Sequence, residues 1–168
     1  MTATLQRATF ESPIGRIMLF ARDGILVHLD FEDCPERIER LLAKRFGAVT
    51  FEDAPLAGPV SALEDYFAGD IAALTGWMSI RAERHSRTGS WLELRNIPAG
   101  ETASYADMAV RIGNPKGVRA VGRTNGLNPI ALVLPCHRVI GKDGSLTGYA
   151  GGLERKQWLL RHEGAVLL

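Results

Sequence analysis

The sequence contains few cysteines and no long apolar run. Only two of its 168 residues are cysteines, Cys34 and Cys136. A disulfide framework is therefore not expected, and the reducing cytoplasm is the natural location. No apolar run approaches the length of a membrane-spanning helix, so no membrane partner is expected. The first seven residues lack the basic start and the apolar centre of a signal peptide.

The charge of the chain differs between its two halves. The composition is that of an ordinary globular protein, 46% hydrophobic and 23% charged. Residues 1–80 hold 7 basic and 12 acidic residues, a net charge of −5, whereas residues 81–168 hold 13 and 7, a net charge of +6. The basic half indicates an anionic partner, with nucleic acid as the leading candidate. A solvated basic face without a partner explains the charge equally well.

The first 80 residues predict a structural α/β domain with a small antiparallel sheet. Strands are expected at residues 15–21 and 25–31, on either side of the hairpin signal Asp23-Gly24. A third strand is expected over residues 4–10. Helical spacing and terminal signals predict two helices, from Pro35 to Gly47 and from Pro59 to Phe67.

A polar stretch, residues 81–89, predicts a linker to a mostly helical second domain, residues 90–168. The second domain opens with Ser90, which has the capping-box pattern of a helix start. This first helix is expected to end near Pro98, because the residue before a proline avoids helical geometry.

A helix-turn-helix pair is predicted next. Ser104 can cap one helix, which Gly113 ends, and a second helix is expected from about Lys116 to Asn125. The second helix is expected to turn Val118 and Val121 inward. Such pairs are typical of DNA-binding units, but they also occur in ordinary helical cores.

The most informative segment of the chain is Leu134-Pro135-Cys136-His137-Arg138. The apolar run before Pro135 predicts a short buried segment that leads into a turn. A nucleophilic cysteine must be partly thiolate, and the imidazole of His137 can take its proton near pH 7. Cys136 by itself also fits a small buried hydrophobe. The glycine-rich residues 141–152 fit either a close approach to a ligand or a plain flexible loop, and a last helix is expected from Leu153 to about Glu163.

Several motifs occur together in one order and spacing over residues 91–164. They are Ile97-Pro98-Ala99-Gly100-Glu101-Thr102-Ala103-Ser104-Tyr105, Gly113-Asn114-Pro115-Lys116, Arg119-Ala120-Val121-Gly122, Asn128-Pro129, Pro135-Cys136-His137-Arg138-Val139, Gly148-Tyr149-Ala150-Gly151-Gly152, Trp158-Leu159-Leu160 and His162-Glu163-Gly164. This set resembles the 6-O-alkylguanine-DNA alkyltransferase family, also called methylated-DNA–protein-cysteine methyltransferases. The resemblance is looser over the first 80 residues.

The resemblance implies a single-turnover DNA repair protein that transfers an alkyl group from guanine irreversibly to its own Cys136. His137 would act as the base through a bound water, and Glu163 would orient its imidazole. Tyr105 would hydrogen-bond the guanine and ease its departure. Asn128 would stabilise the turn that carries the cysteine.

The resemblance also implies the partner, double-stranded DNA that contains 6-O-alkylguanine, with 4-O-alkylthymine left open. The target base must be flipped out of the duplex, with Arg119 filling the gap. The protein would be a monomer that needs no cofactor. Some members of the family bind a structural zinc in the N-terminal domain, but the matching ligands are not found in this sequence, so no metal is expected. The expected DNA-binding residues are Arg119, Gly122, Arg123, Thr102 and Ser104, and the expected substrate-binding residues are Val139, Tyr149 and Ala150.

The sequence departs from the family pattern just ahead of Trp91. Ser86 and Ser90 stand where the family usually has an aromatic and an aliphatic residue, with Gly89 between them. These residues predict a shortened first helix with weaker contact to the core. Arg123 is bulkier than the residue expected beside Gly122, and it would either add a phosphate contact or crowd the groove.

Three other readings compete with the alkyltransferase. A non-catalytic sensor of alkylated bases is disfavoured, because such relatives lack the cysteine that Cys136 supplies. A helix-turn-helix regulator would leave the Cys-His motif and the glycine-rich loop unexplained. A cysteine hydrolase or redox protein would require turnover or a resolving thiol, and Cys34 is not convincingly placed for that role.

Overall fold

The computed structural model describes residues 1–75, 77 and 88–165, which are divided between two compact units. One unit is Met1–Ile80 with Pro129–Ala131, and the other is Arg81–Asn128 with Leu132–Leu168. Strands dominate the first unit and helices the second, so the predicted α+β class is confirmed. The segment Pro129–Ala131 corrects the predicted domain limits, which placed it in the second domain.

The first unit is built around a four-stranded sheet whose strands are β1 (Ala3–Ser12), β2 (Gly15–Arg22), β3 (Ile25–Phe31) and β4 (Val49–Asp53). The strand order is β3-β2-β1-β4, and β1, β2 and β3 are antiparallel as predicted. Asp23 and Gly24 have φ values of 52° and 76°, the left-handed geometry that a tight hairpin requires. Strand β4 was not predicted. Because it pairs in parallel with β1, the sheet is mixed rather than antiparallel.

Two helices complete this unit, α1 (Pro35–Phe46) and α2 (Ala57–Ala68), and both were predicted. Pro35 suits the first turn of α1, where a missing N–H costs nothing. The buried face of α1 includes Ile38 and Leu42, which pack with residues of the sheet. This apolar core is the main source of stability for the unit.

The chain that leads to Cys136 pairs with the edge of this sheet. The Leu29 N–H donates to Pro129 O at 3.0 Å, and the Ala131 N–H donates to Leu29 O at 3.1 Å. Strand pairing of this kind depends on residues far apart in the chain, so apolar patterning alone did not reveal it.

A buried polar group also lies on β3. His28 is fully buried, and its Nε2 is 3.5 Å from Oδ2 of Asp30, which accepts a hydrogen bond from Arg37. Burial lowers the pKa of His28, although the hydrogen bond to Asp30 acts in the opposite direction. His28 is therefore neutral in the folded protein near pH 7.

The second unit contains four described helices and a pair of short strands. They are α3 (Thr88–Leu94), β5 (Ala103–Ser104), α4 (Tyr105–Arg111), α5 (Val118–Gly126), β6 (Val139–Ile140) and α6 (Leu153–His162). Strands β5 and β6 pair in parallel, with Ala103 opposite Val139. This pairing brings the start of α4 beside the chain that follows Cys136.

Helix α3 begins at Thr88, which corrects the prediction that it begins at Ser90. The helix includes Thr88 and Gly89, which were assigned to the linker, while residues 81–87, including Ser86, lie outside the described residues. Ser90 is buried within the helix rather than capping it. Trp91 is 8% exposed and donates its indole N–H to Thr124 O at 2.9 Å, so this seven-residue helix keeps a firm contact with α5.

The predicted helix-turn-helix is formed by α4 and α5. Ser104 caps α4 in a reciprocal capping box with Asp107, as its sequence position predicted. Helix α5 begins at Val118 rather than Lys116. Val121 is buried, but Val118 is 38% exposed, so its predicted inward orientation is wrong. Across the described residues, no helix has both the length and the apolar character needed to cross a bilayer.

Candidate active site

A cavity of about 330 Å³ lies within the second unit, and Cys136 forms part of its wall. This volume falls at the small end of the range for ligand pockets. Helices α4 and α5 line one side, and the glycine-rich loop lines another. The lining residues are Tyr105, Gly122, Asn125, Gly126, Cys136, Thr147, Gly148, Tyr149 and Ala150.

Cys136 begins a single 3₁₀ turn, Cys136–Arg138, and is 8% exposed. Its N–H donates to Leu134 O at 2.8 Å. Asn128 is buried and donates its Nδ2–H to the same carbonyl at 2.7 Å. The approach to this turn is strained, because Leu132 has a φ of 70°, a region that costs a non-glycine residue about 1–3 kcal/mol. The thiol is therefore held by a tightly fixed backbone.

Behind the cysteine lies a buried charged cluster. Glu163 accepts hydrogen bonds from His137 Nε2 at 2.8 Å, from Arg138 Nε at 2.9 Å and from Arg138 Nη2 at 2.9 Å. Arg138 also donates to Ile97 O at 2.7 Å. Burial alone would raise the pKa of Glu163, but its hydrogen bonds with His137 and Arg138 hold that pKa well below the usual range. Glu163 is therefore ionised at neutral pH.

The ionised carboxylate fixes the tautomer of His137. A carboxylate can only accept hydrogen bonds, so His137 Nε2 must carry the proton in this pair. Burial lowers the pKa of His137, although its hydrogen bond to Glu163 opposes the effect. The imidazole is therefore neutral, and its Nδ1 is a buried acceptor without a hydrogen-bond partner among the described residues. Such an atom is suited to accept a proton.

Lys156 connects β6 and the glycine-rich loop on the other side of the site. Its side chain is fully buried, and Nζ donates to Val139 O at 2.6 Å, Thr147 O at 3.1 Å and Gly148 O at 3.2 Å. Burial lowers the pKa of Lys156 to about 8, and the charge of Cys136 acts in the opposite direction. One ammonium group thus ties the glycine-rich loop to β6.

Tyr105 faces the same cavity. Its hydroxyl donates to Thr147 O at 2.8 Å and lies 3.5 Å from Lys156 Nζ. Burial raises the pKa of Tyr105, so its hydroxyl keeps its proton near pH 7. Because a hydroxyl has one proton to donate, a hydrogen bond from Tyr105 to a bound ligand requires the O–H to turn away from Thr147.

The predicted substrate-binding residues are only partly brought together. Tyr149 and Ala150 line the cavity, whereas Val139 is buried in β6 and is not among the lining residues. The Val139 N–H is bonded to Cys136 O, and its carbonyl accepts from Lys156. A carbonyl oxygen has two lone pairs, so contact between the Val139 backbone and the substrate stays a prediction.

The predicted DNA-binding residues lie on α5 and at the start of α4. Arg119 and Arg123 are exposed on α5, and Gly122 lines the cavity. A Cβ at Gly122 would lie 3.9 Å from Tyr105 Cε1, an ordinary contact, so the fold itself does not demand glycine there. Thr102 precedes β5 and is half-buried, while Ser104 uses its hydroxyl to cap α4.

Three residues of the site were not predicted: Arg138, Lys156 and Asn125. Arg138 follows the Cys-His pair directly. Its role as the partner of a buried acid could have been inferred once Glu163 was placed next to His137. Lys156 occupies a buried position on α6, and no sequence pattern indicates a buried cation there. No cluster of three or more His, Cys, Asp or Glu side chains that could hold a metal occurs among the described residues.

Comparison with known proteins finds relatives over nearly the whole chain. Residues 5–75 match the 6-O-methylguanine DNA methyltransferase, ribonuclease-like domain, and residues 86–165 match the 6-O-methylguanine DNA methyltransferase, DNA binding domain. A methylated-DNA–protein-cysteine methyltransferase of Salmonella typhimurium is 42% identical over 161 residues, which cover 94% of each chain.

Solved structures agree with this assignment. The O6-methylguanine methyltransferase of Mycobacterium tuberculosis has a TM-score of 0.77 at 38% identity, covering 95% of this chain and 93% of that one. A structure of Mycobacterium tuberculosis OGT in complex with DNA has a TM-score of 0.78 at 38% identity, covering 96% and 93%. The chain therefore belongs to the methylated-DNA–protein-cysteine methyltransferase family.

Proposed function

We propose that this protein repairs alkylated DNA by transferring the alkyl group of 6-O-alkylguanine to Sγ of Cys136. The observation that carries the proposal is the position of this thiol, in the wall of a small cavity and adjacent in sequence to a buried, neutral His137. Such a cavity can hold one flipped base, and a thiolate is a suitable nucleophile for an alkyl carbon.

The first step of the proposed reaction is activation of the thiol. Nδ1 of His137 takes the Cys136 proton, through a bound water, and the new positive charge is stabilised by the ionised Glu163. Arg138 keeps Glu163 ionised through two hydrogen bonds. This arrangement gives each charged group a partner while the proton moves.

The second step is displacement of guanine. Sγ of Cys136 attacks the alkyl carbon, the C–O bond breaks, and its electron pair stays with the guanine oxygen. Tyr105 donates a hydrogen bond to the departing base, which then regains a proton, so that the net products are a thioether and guanine. Water does not cleave a thioether, and each molecule therefore acts once.

DNA is engaged through the second domain. The helical second unit binds DNA and accepts the alkyl group, the segment ahead of Thr88 connects the two domains, and residues 1–80 have a structural role. Helix α5 presents the exposed Arg119, which fills the gap left by the flipped base. Arg123, also exposed, contacts a phosphate.

The remaining DNA contacts and the finer points belong to the same proposal. Thr102 and Ser104 approach the backbone of the duplex, Gly122 allows close approach to the groove, and Tyr149 and Ala150 contact the flipped base. The protein acts as a cytoplasmic monomer. Activity on 4-O-alkylthymine is tested separately, by the mass that the protein gains from a duplex containing that base.

Intact mass spectrometry tests the proposal. The wild-type protein, incubated with excess duplex containing one 6-O-methylguanine, should gain the mass of one methylene group at one equivalent per chain. The variant Cys34→Ala should gain the same mass, whereas Cys136→Ala should gain none and still prefer the lesion duplex in a binding assay. Lesion-selective binding by the wild-type protein without any adduct would contradict transfer and support the sensor reading.

A further inference from the structure

Helix α5, which carries Arg119, has little intrinsic stability. It is nine residues long, with Gly122 in its middle and Gly126 at its end, and its N-terminal cap is Gly117, which has no side chain. Isolated helices shorter than about 12–15 residues are marginal in water, and a glycine inside a helix costs about 1 kcal/mol relative to alanine. Contacts with the rest of the fold must therefore hold α5 in place.

Trp91 provides such a contact at the C-terminal end of α5. Its side chain is 8% exposed, and its indole N–H donates to Thr124 O at 2.9 Å. The same carbonyl accepts the N–H of Leu127 at 3.1 Å, so both of its lone pairs are used. The last carbonyls of a helix lack partners within the helix, and Trp91 supplies one from outside.

Trp91 lies on a helix that is anchored beside the Cys136 turn. Helix α3 buries Leu94 completely, and just beyond its end Ile97 O accepts a hydrogen bond from Arg138 at 2.7 Å. Arg138 belongs to the 3₁₀ turn that begins at Cys136. The indole N–H therefore joins α5 to the same part of the fold that supports the thiol.

The position of α5 matters most for base flipping. Arg119 is exposed on α5, and in the proposed function it fills the gap in the duplex while the flipped base meets Cys136. Both side chains must reach their places on one duplex at the same time. Because a misplacement of about 1 Å can slow an enzyme about 100-fold, α5 must be fixed relative to the Cys136 turn.

We propose that Trp91 is a positioning residue for base flipping, because its hydrogen bond to Thr124 fixes α5, and with it Arg119, relative to the turn that carries Cys136. This inference rests on the proposed alkyl transfer, and it gives a role in that reaction to a residue that is not among those lining the cavity.

The test compares single-turnover methyl transfer from a duplex with transfer from a single strand of the same sequence, each with one 6-O-methylguanine. Trp91→Phe keeps an aromatic ring in place and removes the indole donor. Its duplex rate should fall about tenfold, equivalent to one lost hydrogen bond. Its single-strand rate should fall far less, because only the duplex requires flipping. The control Trp77→Phe, at an exposed residue of the first unit, should keep both rates.

A double variant tests whether Trp91 acts through α5. Arg119→Ala removes the side chain that α5 is held to present. If Trp91 acts by placing that side chain, adding Trp91→Phe to Arg119→Ala should slow duplex transfer by much less than tenfold further. Effects of the two changes that simply multiply would overturn the inference.

The outcomes separate this inference from the proposed function. If the wild type transfers no methyl group from either substrate, alkyl transfer itself is wrong and the inference falls with it. If methyl transfer proceeds but Trp91→Phe keeps the wild-type duplex rate, or slows both substrates equally, Trp91 does not position α5 for flipping. If Trp91→Phe does not fold, benzothienylalanine at position 91 keeps the shape of the indole and removes only its N–H. The ratio of its duplex and single-strand rates then decides in the same way.

Discussion

Replacing Glu163 with glutamine should damage both the stability and the chemistry of the site. The carboxylate is 3% exposed and accepts three hydrogen bonds, of 2.8 Å from His137 and 2.9 Å twice from Arg138. Glu163→Gln keeps the size of the side chain but removes the charge that balances Arg138. The glutamine amide also places an NH₂ group, which is itself a donor, opposite the N–H donors of His137 and Arg138. Breaking a buried ion pair from one side costs about 3–5 kcal/mol.

Urea unfolding measures the stability cost. With a slope near 2 kcal/mol per M, the expected loss moves the midpoint down by about 2 M. Glu154→Gln is the matched control, because Glu154 is exposed in the first turn of α6, the helix that Glu163 follows. An exposed first-turn acid contributes about 0.3–1 kcal/mol, so its midpoint should move by less than about 0.5 M.

The alkyl transfer rate separates the two roles of the carboxylate. We expect Glu163→Gln to slow single-turnover transfer at least about tenfold, because the imidazolium of His137 loses its counter-charge. Adding Arg138→Met to Glu163→Gln should recover part of the stability, since no buried charge is then unbalanced, but it should not recover the rate. If Glu163→Gln left both the urea midpoint and the transfer rate unchanged, the roles assigned to Glu163 in stability and in catalysis would be refuted.

Three further changes test other parts of the account. Arg119→Ala should slow transfer from duplex DNA about tenfold. It should slow transfer from a single-stranded lesion far less, because only the duplex requires the base to be flipped out. The control Arg161→Ala, an exposed change on α6, should affect neither rate. Lys156→Met should slow transfer about tenfold or more and speed hydrogen exchange in residues 141–152, since three carbonyls lose their common donor; unchanged exchange would argue against this role. His137 and His28 have lowered pKa values in the folded state, so the unfolded chain binds more protons below its histidine pKa of about 6.5. Stability should therefore be complete above that pH and fall as the pH drops below it, and a urea midpoint that does not fall between pH 7.5 and 5.5 would contradict this.

Local signals predicted much of the fold. The Asp23-Gly24 hairpin, the proline start of α1 and the Ser104 cap of α4 are set by residues within one turn of each other, and all three were confirmed. Strand β4 was missed because it is short and its pairing with β1 spans more than 40 residues. Val118 was placed wrongly because it is the first residue of α5 and remains exposed at that end of the helix, although it is only three residues from the buried Val121.

The site also has a part that the sequence predicted and a part that depends on distant contacts. Cys136 and His137 stand out as adjacent reactive residues, but their environment depends on distant parts of the chain. Glu163 lies 26 residues from His137, and only a family resemblance suggested their pairing. Lys156 and Asn125 gave no sequence signal, because burial of a polar side chain depends on the packing around it.

Peptide mass spectrometry after reaction with 6-O-methylguanine duplex tests the central claim most directly. Both cysteines can be followed in one digest, so Cys34 serves as an internal control for nonspecific alkylation. The account predicts one added methylene group on the Cys136 peptide, none on the Cys34 peptide, and a yield that stops at one equivalent. An unmodified Cys136 peptide after complete incubation, or equal modification of both peptides, would contradict it.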